Sequence, residues 1–186
     1  MTAIQAEMRI IDLATDDGAG FTIGGKAAGL APLARAGLPV PPAVVIPAEA
    51  ADSEIGSLAA DIATRFSGSS VAVRSSGIAE DLAEASYAGQ YETVLNVRSE
   101  PGALTAAVRR VRASAAGAIV ASYAGRHPAP MAVLVMPMVD ADAAGIAFTR
   151  DPVTGDRVVV VEAVLAILRY SRTPAEENLD ISLPDG

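Results

Sequence analysis

The chain has 186 residues, with 14 Lys and Arg against 22 Asp and Glu, a formal net charge of −8. With no cysteine, disulfides, thiolate nucleophiles and thiolate metal sites are excluded. The single histidine, His127, set between Arg126 and Pro128, leaves little support for a histidine-rich metal centre or a Ser-His-Asp triad. The acidic balance argues against a broad nucleic-acid footprint. No uncharged apolar stretch reaches the roughly 18 residues of a membrane span, so no membrane association is expected. Glu7, Arg9 and Asp12 interrupt the N-terminus before a signal peptide can develop, and the expectation is a soluble, cytoplasmic protein. The 39 alanines, 3 Phe, 4 Tyr and no Trp imply a core of small aliphatic side chains packed closely, without large aromatic anchors.

In chain order, Met8 to Leu13 reads as a short strand leading into an Asp/Gly-rich loop from Thr15 to Gly25. From Lys26, Leu30, Leu33 and Ala34 fall at helical spacing, and Gly37 followed by Pro39 closes that helix. Val44 to Ile46 reads as a buried strand between prolines. Asp52 or Ser53 is the expected cap of a helix carrying Ile55, Leu58, Ala59, Ile62 and Phe66. Ser67 to Ser70 makes a turn and Val71 to Val73 a short strand. The polar segment Arg74 to Gln90 reads as a loop, and Tyr91 to Val97 alternates as a strand. Ser99 is the expected cap of a helix opening at Pro101, with Leu104, Val108 and Val111 inward and Arg109, Arg110 and Arg112 outward. Strands are expected over Met131 to Val139, Gly145 to Thr149 and Arg157 to Val161, with a turn at Pro152 to Gly155. The last 24 residues carry no clear pattern.

Three stretches have compositions suited to chemistry. Gly24-Gly25-Lys26 opens a helix, where glycines let backbone N–H groups approach an anion and Lys adds charge; alone it also reads as a turn. Val71-Ala72-Val73-Arg74-Ser75-Ser76, continuing to Ser86-Tyr87-Ala88-Gly89-Gln90, offers a guanidinium fork and hydroxyls for a phosphate, and small residues for a flap over it. It equally reads as a solvated loop. Phe148 to Gly155 reads first as a hairpin whose Arg150 and Asp151 flank a turn.

Taken together, residues 24–46, 71–97 and 131–156 resemble the nucleotide-binding domain of pyruvate phosphate dikinase, phosphoenolpyruvate synthase and rifampicin phosphotransferase. The resemblance implies an α+β, ATP-grasp-like fold comprising the N-terminal lobe and part of the second, with helices packed on a mixed sheet. It further implies one domain over residues 1–186, shortened and truncated at its C-terminal end. It implies ATP as ligand, with Lys26 and Arg74 as catalytic residues: Lys26 on the phosphates and Arg74 on the transferred γ-phosphoryl group. Gly24, Gly25, Ser75 and Ser76 would join them. Ser86, Ala88, Gly89 and Gln90 would form the flap, and the backbone of Met136, Pro137, Met138 and Val139 would meet the adenine edge. Such a site works by positioning and charge neutralisation.

Against the family pattern, Pro137 removes one N–H donor from the adenine segment. The stretch 47–70 is shorter than usual, and 164–172 lacks a Gly-Leu-Gly-Glu-like run. Magnesium is expected from the family, but its acidic and Gln ligands lie beyond any segment matched here. The resemblance therefore implies an ATP-binding phosphotransferase module that passes a phosphoryl group to a histidine on a partner domain or chain. The alternative is a non-catalytic nucleotide-binding or regulatory remnant without the magnesium site.

Overall fold

Met131 to Val135 is among the most continuously apolar runs of the chain, and it becomes the middle strand of a five-stranded sheet. In the computed structural model, residues 8–16, 18–77, 92–114 and 131–165 are described. Their elements are β1 (Ile11–Asp12), α1 (Gly24–Arg35), β2 (Val44–Ile46), α2 (Ile55–Arg65), β3 (Ser70–Gly77), β4 (Thr93–Arg98), α3 (Pro101–Ser114), β5 (Met131–Pro137), β6 (Ala143–Phe148) and β7 (Val160–Leu165). The chain divides into two compact units at Met138/Val139.

In the first unit the strand order is β1-β2-β5-β3-β4, and each neighbouring pair is antiparallel. The α+β class therefore holds, but the expected mixed sheet is corrected to an antiparallel one among the described residues. A tight strand–helix–strand crossover would have made β1 and β2 parallel. The long loop from Leu13 to Ile23 instead turns the chain before α1, and β2 returns antiparallel to β1.

The pleat sends alternate residues to two cores. Val44, Ile46, Val71, Val73, Val133 and Val135 join α2 and α3, whose Ile55, Leu58, Ile62, Leu104, Val108 and Val111 are buried. On the opposite face, Val45, Ala132 and Leu134 meet Ala27 and Ala31 of α1. Of the expected helical face of α1, Leu30 packs on this core but Leu33 is 42% exposed, and the buried contact is made by the two alanines. Small side chains let the helix lie close to the sheet. Pro32 sits inside α1 without breaking it, because the carbonyl it leaves unbonded belongs to the exposed Ala28. The helix closes with Gly37 at φ 72°, where Leu38 N–H donates to Leu33 O and Gly37 N–H to Ala34 O.

Both expected side-chain caps fail. Glu54, not Asp52 or Ser53, precedes α2, and its carboxylate accepts from Ala51 N–H at 2.7 Å rather than from the helix. The Ser99 hydroxyl is buried and makes no hydrogen bond among the described residues. The strand expected over Val71 to Val73 continues through Arg74 to Gly77, because β5 supplies partners in unbroken register from Pro137↔Val71 to Met131↔Gly77.

In the second unit β6 and β7 form an antiparallel hairpin, with Ala143 opposite Leu165 and Phe148 opposite Val160. A Cβ at Gly145 would lie 2.6 Å from Glu162 O, so the glycine admits the neighbouring strand. The connecting turn is built on Asp151, whose Oδ1 accepts from Val153 N–H at 2.7 Å and Thr154 N–H at 2.9 Å. Those N–H groups, Thr154 first, hold its carboxyl below the usual aspartate range. Arg150 donates to Gly155 O, so this Arg and Asp serve the turn, as a hairpin reading expects. The final strand begins at Val160 rather than Arg157.

The assignment of faces makes a measurable prediction. Ile62→Ala should lower the unfolding free energy by about 2–5 kcal/mol, whereas Leu33→Ala should cost under about 1 kcal/mol, both read from denaturant titrations.

Candidate functional site

The first turn of α1 and the second half of β3 meet backbone to backbone. Gly24 adopts φ 74°, and a Cβ there would sit 1.9 Å from Ser76 O and 2.6 Å from Ser76 Oγ. Only glycine combines that left-handed conformation with that approach. One turn further on, Ala27 donates its N–H to Ser76 Oγ at 3.1 Å in a buried bond. Ile23, ahead of the helix, offers no side-chain cap, so the fixing group comes from a strand 49 residues away. Lys26 Nζ donates to Ser75 Oγ at 3.5 Å. Ser75 and Ser76 are 1% and 0% exposed, the two buried polar residues of the described chain.

Arg74 lies opposite Leu134 and Ser76 opposite Ala132, and both partners belong to the core under α1. Arg74 and Ser76 therefore share the α1 side of the sheet. The Arg74 side chain is partly exposed, but its Nε is buried and has no hydrogen-bond partner among the described residues. An unmet buried donor costs about 1–3 kcal/mol, and an anion is the natural acceptor for a guanidinium. Gly24, Gly25 and Lys26 thus lie in the first turn of α1, with Arg74, Ser75 and Ser76 in the half of β3 that meets it.

The segment carrying Met136, Pro137, Met138 and Val139 lies at the other end of the β3–β5 pair. Met136 packs on the core under α1, opposite Ala72. Pro137 has no N–H, and Met138 donates its own to Ser70 O at 2.9 Å. Val139, 62% exposed, opens the second unit. Ser86, Ala88, Gly89, Gln90 and His127 lie outside the described residues.

One contact at the site left no sequence signal. Thr22, two residues before Gly24, donates its N–H to both oxygens of Glu49 at 3.0 and 3.1 Å, and its carbonyl accepts from Ala48 N–H at 3.0 Å. Partial burial pushes the Glu49 carboxyl up, but the Thr22 bonds, with help from the nearby Arg112 guanidinium, outweigh it and hold the group below the usual glutamate range. The partners are 27 residues apart and neither lies on a periodic pattern. Among the described residues no group of three or more His, Asp or Glu side chains is arranged to hold a metal. Magnesium therefore finds no ligand set in them, and no step is assigned to it. Nor is any helix among them long and apolar enough to cross a membrane.

A glycine-opened helix on one face of an antiparallel sheet, with a lysine, a strand-borne arginine and two buried serines where they meet, makes this an α+β domain. The chain belongs to the pyruvate phosphate dikinase AMP/ATP-binding domain family, whose model matches residues 51–167. That span takes in Arg74 and Met136 to Val139 and begins after Lys26. The chain is 39% identical over 170 residues to the prodigiosin synthesizing transferase PigC of Serratia marcescens, covering 72% of this chain and 19% of that protein. It is 46% identical over 99 residues to a probable phosphoenolpyruvate synthase of Staphylothermus marinus, covering 50% and 12%. It is 40% identical over 113 residues to a rifampicin phosphotransferase of Streptomyces sviceus, covering 58% and 13%. The chain thus spans less than a fifth of the length of these relatives.

Two outcomes follow from the geometry. Gly24→Ala should lower stability by more than about 2 kcal/mol, since positive φ and a backbone clash add; thermal unfolding checks this. Glu49's lowered carboxyl stabilises the fold fully above the ordinary glutamate value, and that contribution is lost as pH falls through the lowered one. Between about pH 7 and about pH 3 the wild type should lose more stability than Glu49→Gln, measured as denaturation midpoints.

Proposed function

We propose that this chain is the ATP-binding part of a phosphotransferase, delivering a phosphoryl group to a histidine on a partner domain or chain. The observation that carries the reading is the convergence of Lys26, Arg74 and the buried serines where β3 meets the first turn of α1, with Arg74 Nε buried and without a hydrogen-bond partner among the described residues. Lys26 and Arg74 would neutralise and orient the phosphates while Gly24 and Gly25 let them approach the backbone. Ser76 keeps the turn in place, and Ser75 holds the lysine.

From the level of Ser76 to that of Met136, opposite Ala72, is four residues along the sheet, about 13 Å. That length suits an extended nucleoside triphosphate, with its base at Met136 to Val139. Because Pro137 lacks an N–H and Met138 donates its own to Ser70, base recognition would fall to Val139 N–H and to carbonyl oxygens. Ser86, Ala88, Gly89 and Gln90 would cover the phosphates. Magnesium, expected from the family, would need ligands other than those described. The whole of residues 1–186 would then serve as one family domain that acts with further segments. Its similarity to a prodigiosin synthesizing transferase, a probable phosphoenolpyruvate synthase and a rifampicin phosphotransferase supports a transfer chemistry with varied final acceptors.

The test is calorimetric titration with ATP, with and without magnesium. Lys26→Ala and Arg74→Ala should each weaken binding by about 10- to 100-fold, the loss of one charge-assisted contact. Absence of binding by the wild type under both conditions would overturn the reading. Binding without transfer of label from γ-labelled ATP to an added histidine domain would favour the regulatory alternative.

A further inference from the structure

We propose that Arg112, on α3, is a positioning residue for the Gly24–Lys26 turn, a role that rests on the ATP-binding reading above. Sequence spacing put Arg112 outward with Arg109 and Arg110. Instead it is half-buried, and its guanidinium fork reaches two main-chain carbonyls: Nη1 donates to Ala50 O at 2.6 Å and Nη2 to Pro47 O at 2.7 Å. A planar fork is suited to holding two acceptors at a fixed separation, which a lysine cannot reproduce. Ala50 N–H also donates to Pro47 O, so the fork grips the two ends of one small turn after β2.

The two residues between those carbonyls are the ones that hold Thr22. Ala48 N–H donates to Thr22 O at 3.0 Å, and both Glu49 oxygens accept from Thr22 N–H. Thr22 is followed by Ile23 and then by Gly24, whose backbone lies against Ser76. An unbroken series of hydrogen bonds thus runs from α3, through the turn at 47–50, to the segment entering α1. Burying a guanidinium is costly, and Arg112 Nε has no partner among the described residues. Packing alone gives no reason for such a group, whereas a fixed entry into the phosphate-facing turn does. Arg112 touches none of the proposed ligand-contacting residues and acts through Glu49 and Thr22.

The test uses the full chain and inorganic tripolyphosphate as probe, with hydrogen exchange read at single amides. Arg112→Met, which keeps the stem and removes the fork, should weaken tripolyphosphate and ATP binding about tenfold. It should speed exchange at Thr22 and Ala27, whose amides donate to Glu49 and Ser76, while Ile62 in α2 keeps its protection, and Arg112→Lys should recover part of both effects. Glu49→Ala breaks the same series at an exposed residue and should reproduce the weakened binding even where Arg112→Met fails to fold. Unchanged tripolyphosphate affinity in folded Arg112→Met or in Glu49→Ala would overturn the role. So would loss of protection spread equally over Thr22, Ala27 and Ile62. Failure of the wild type to bind either ATP or tripolyphosphate would instead overturn the nucleotide reading, and the role with it.

Discussion

The bond from Ala27 N–H to Ser76 Oγ, made where Gly24 lies against the Ser76 backbone, fixes everything else at the site. It sets how far α1 advances over the sheet and therefore where Lys26 emerges. It also accounts for the buried hydroxyl of Ser76 in β3, as the Lys26 contact does for that of Ser75. Their hydroxyls are buried, but Ser76 accepts a main-chain donor and Ser75 a lysine, so neither is left unmet. Arg74, two residues before Ser76, is carried to the same side by the pleat.

The two faces of the sheet are built for different tasks. Under α2 and α3, branched and long aliphatic side chains fill a thick core that supplies most of the apolar burial. Under α1 the contact is made by Ala27 and Ala31, which contribute little burial but allow a short distance between helix and strand. Ala27 and Ala31 thus serve close approach of α1 to the sheet.

What the sequence disclosed follows the same division. Val44 to Ile46, the buried positions of α2 and the inward face of α3 were legible because large apolar residues recur at strand or helix spacing. The extension of β3 through Arg74 to Gly77 was not, because serines and an arginine read as loop residues until β5 supplies their partners. The buried face of α1 was legible only in part: Leu30 packs on the core as its spacing implies, but Leu33 faces solvent and the closest contacts fall to alanines, which a hydrophobic count underweights. Glu54 and Ser99 defeated the cap rules through contacts, or their lack, that spacing does not encode. At the candidate site, Gly24, Lys26, Arg74 and the serines stood out in the sequence by their resemblance to a family motif, and the fold places them on the first turn of α1 and the facing half of β3. Thr22, Glu49 and Arg112 did not stand out, since their link joins segments far apart in the chain and each residue type is ordinary where it stands.

The long reach of the Ser76 contact has a consequence for how the protein assembles. Ala27 and Ser76 are 49 residues apart, and β3 finds its central partner only at Met131 to Pro137. Closing such loops costs chain entropy before any contact repays it, so topologies of this kind fold slowly and as a unit. The Gly24–Lys26 turn therefore has no local existence: α1 alone is a short helix opened by two glycines, of little intrinsic stability. It acquires its shape only when the sheet has closed, which makes the geometry around Lys26 a late product of folding and one of the first features to go when the sheet loosens.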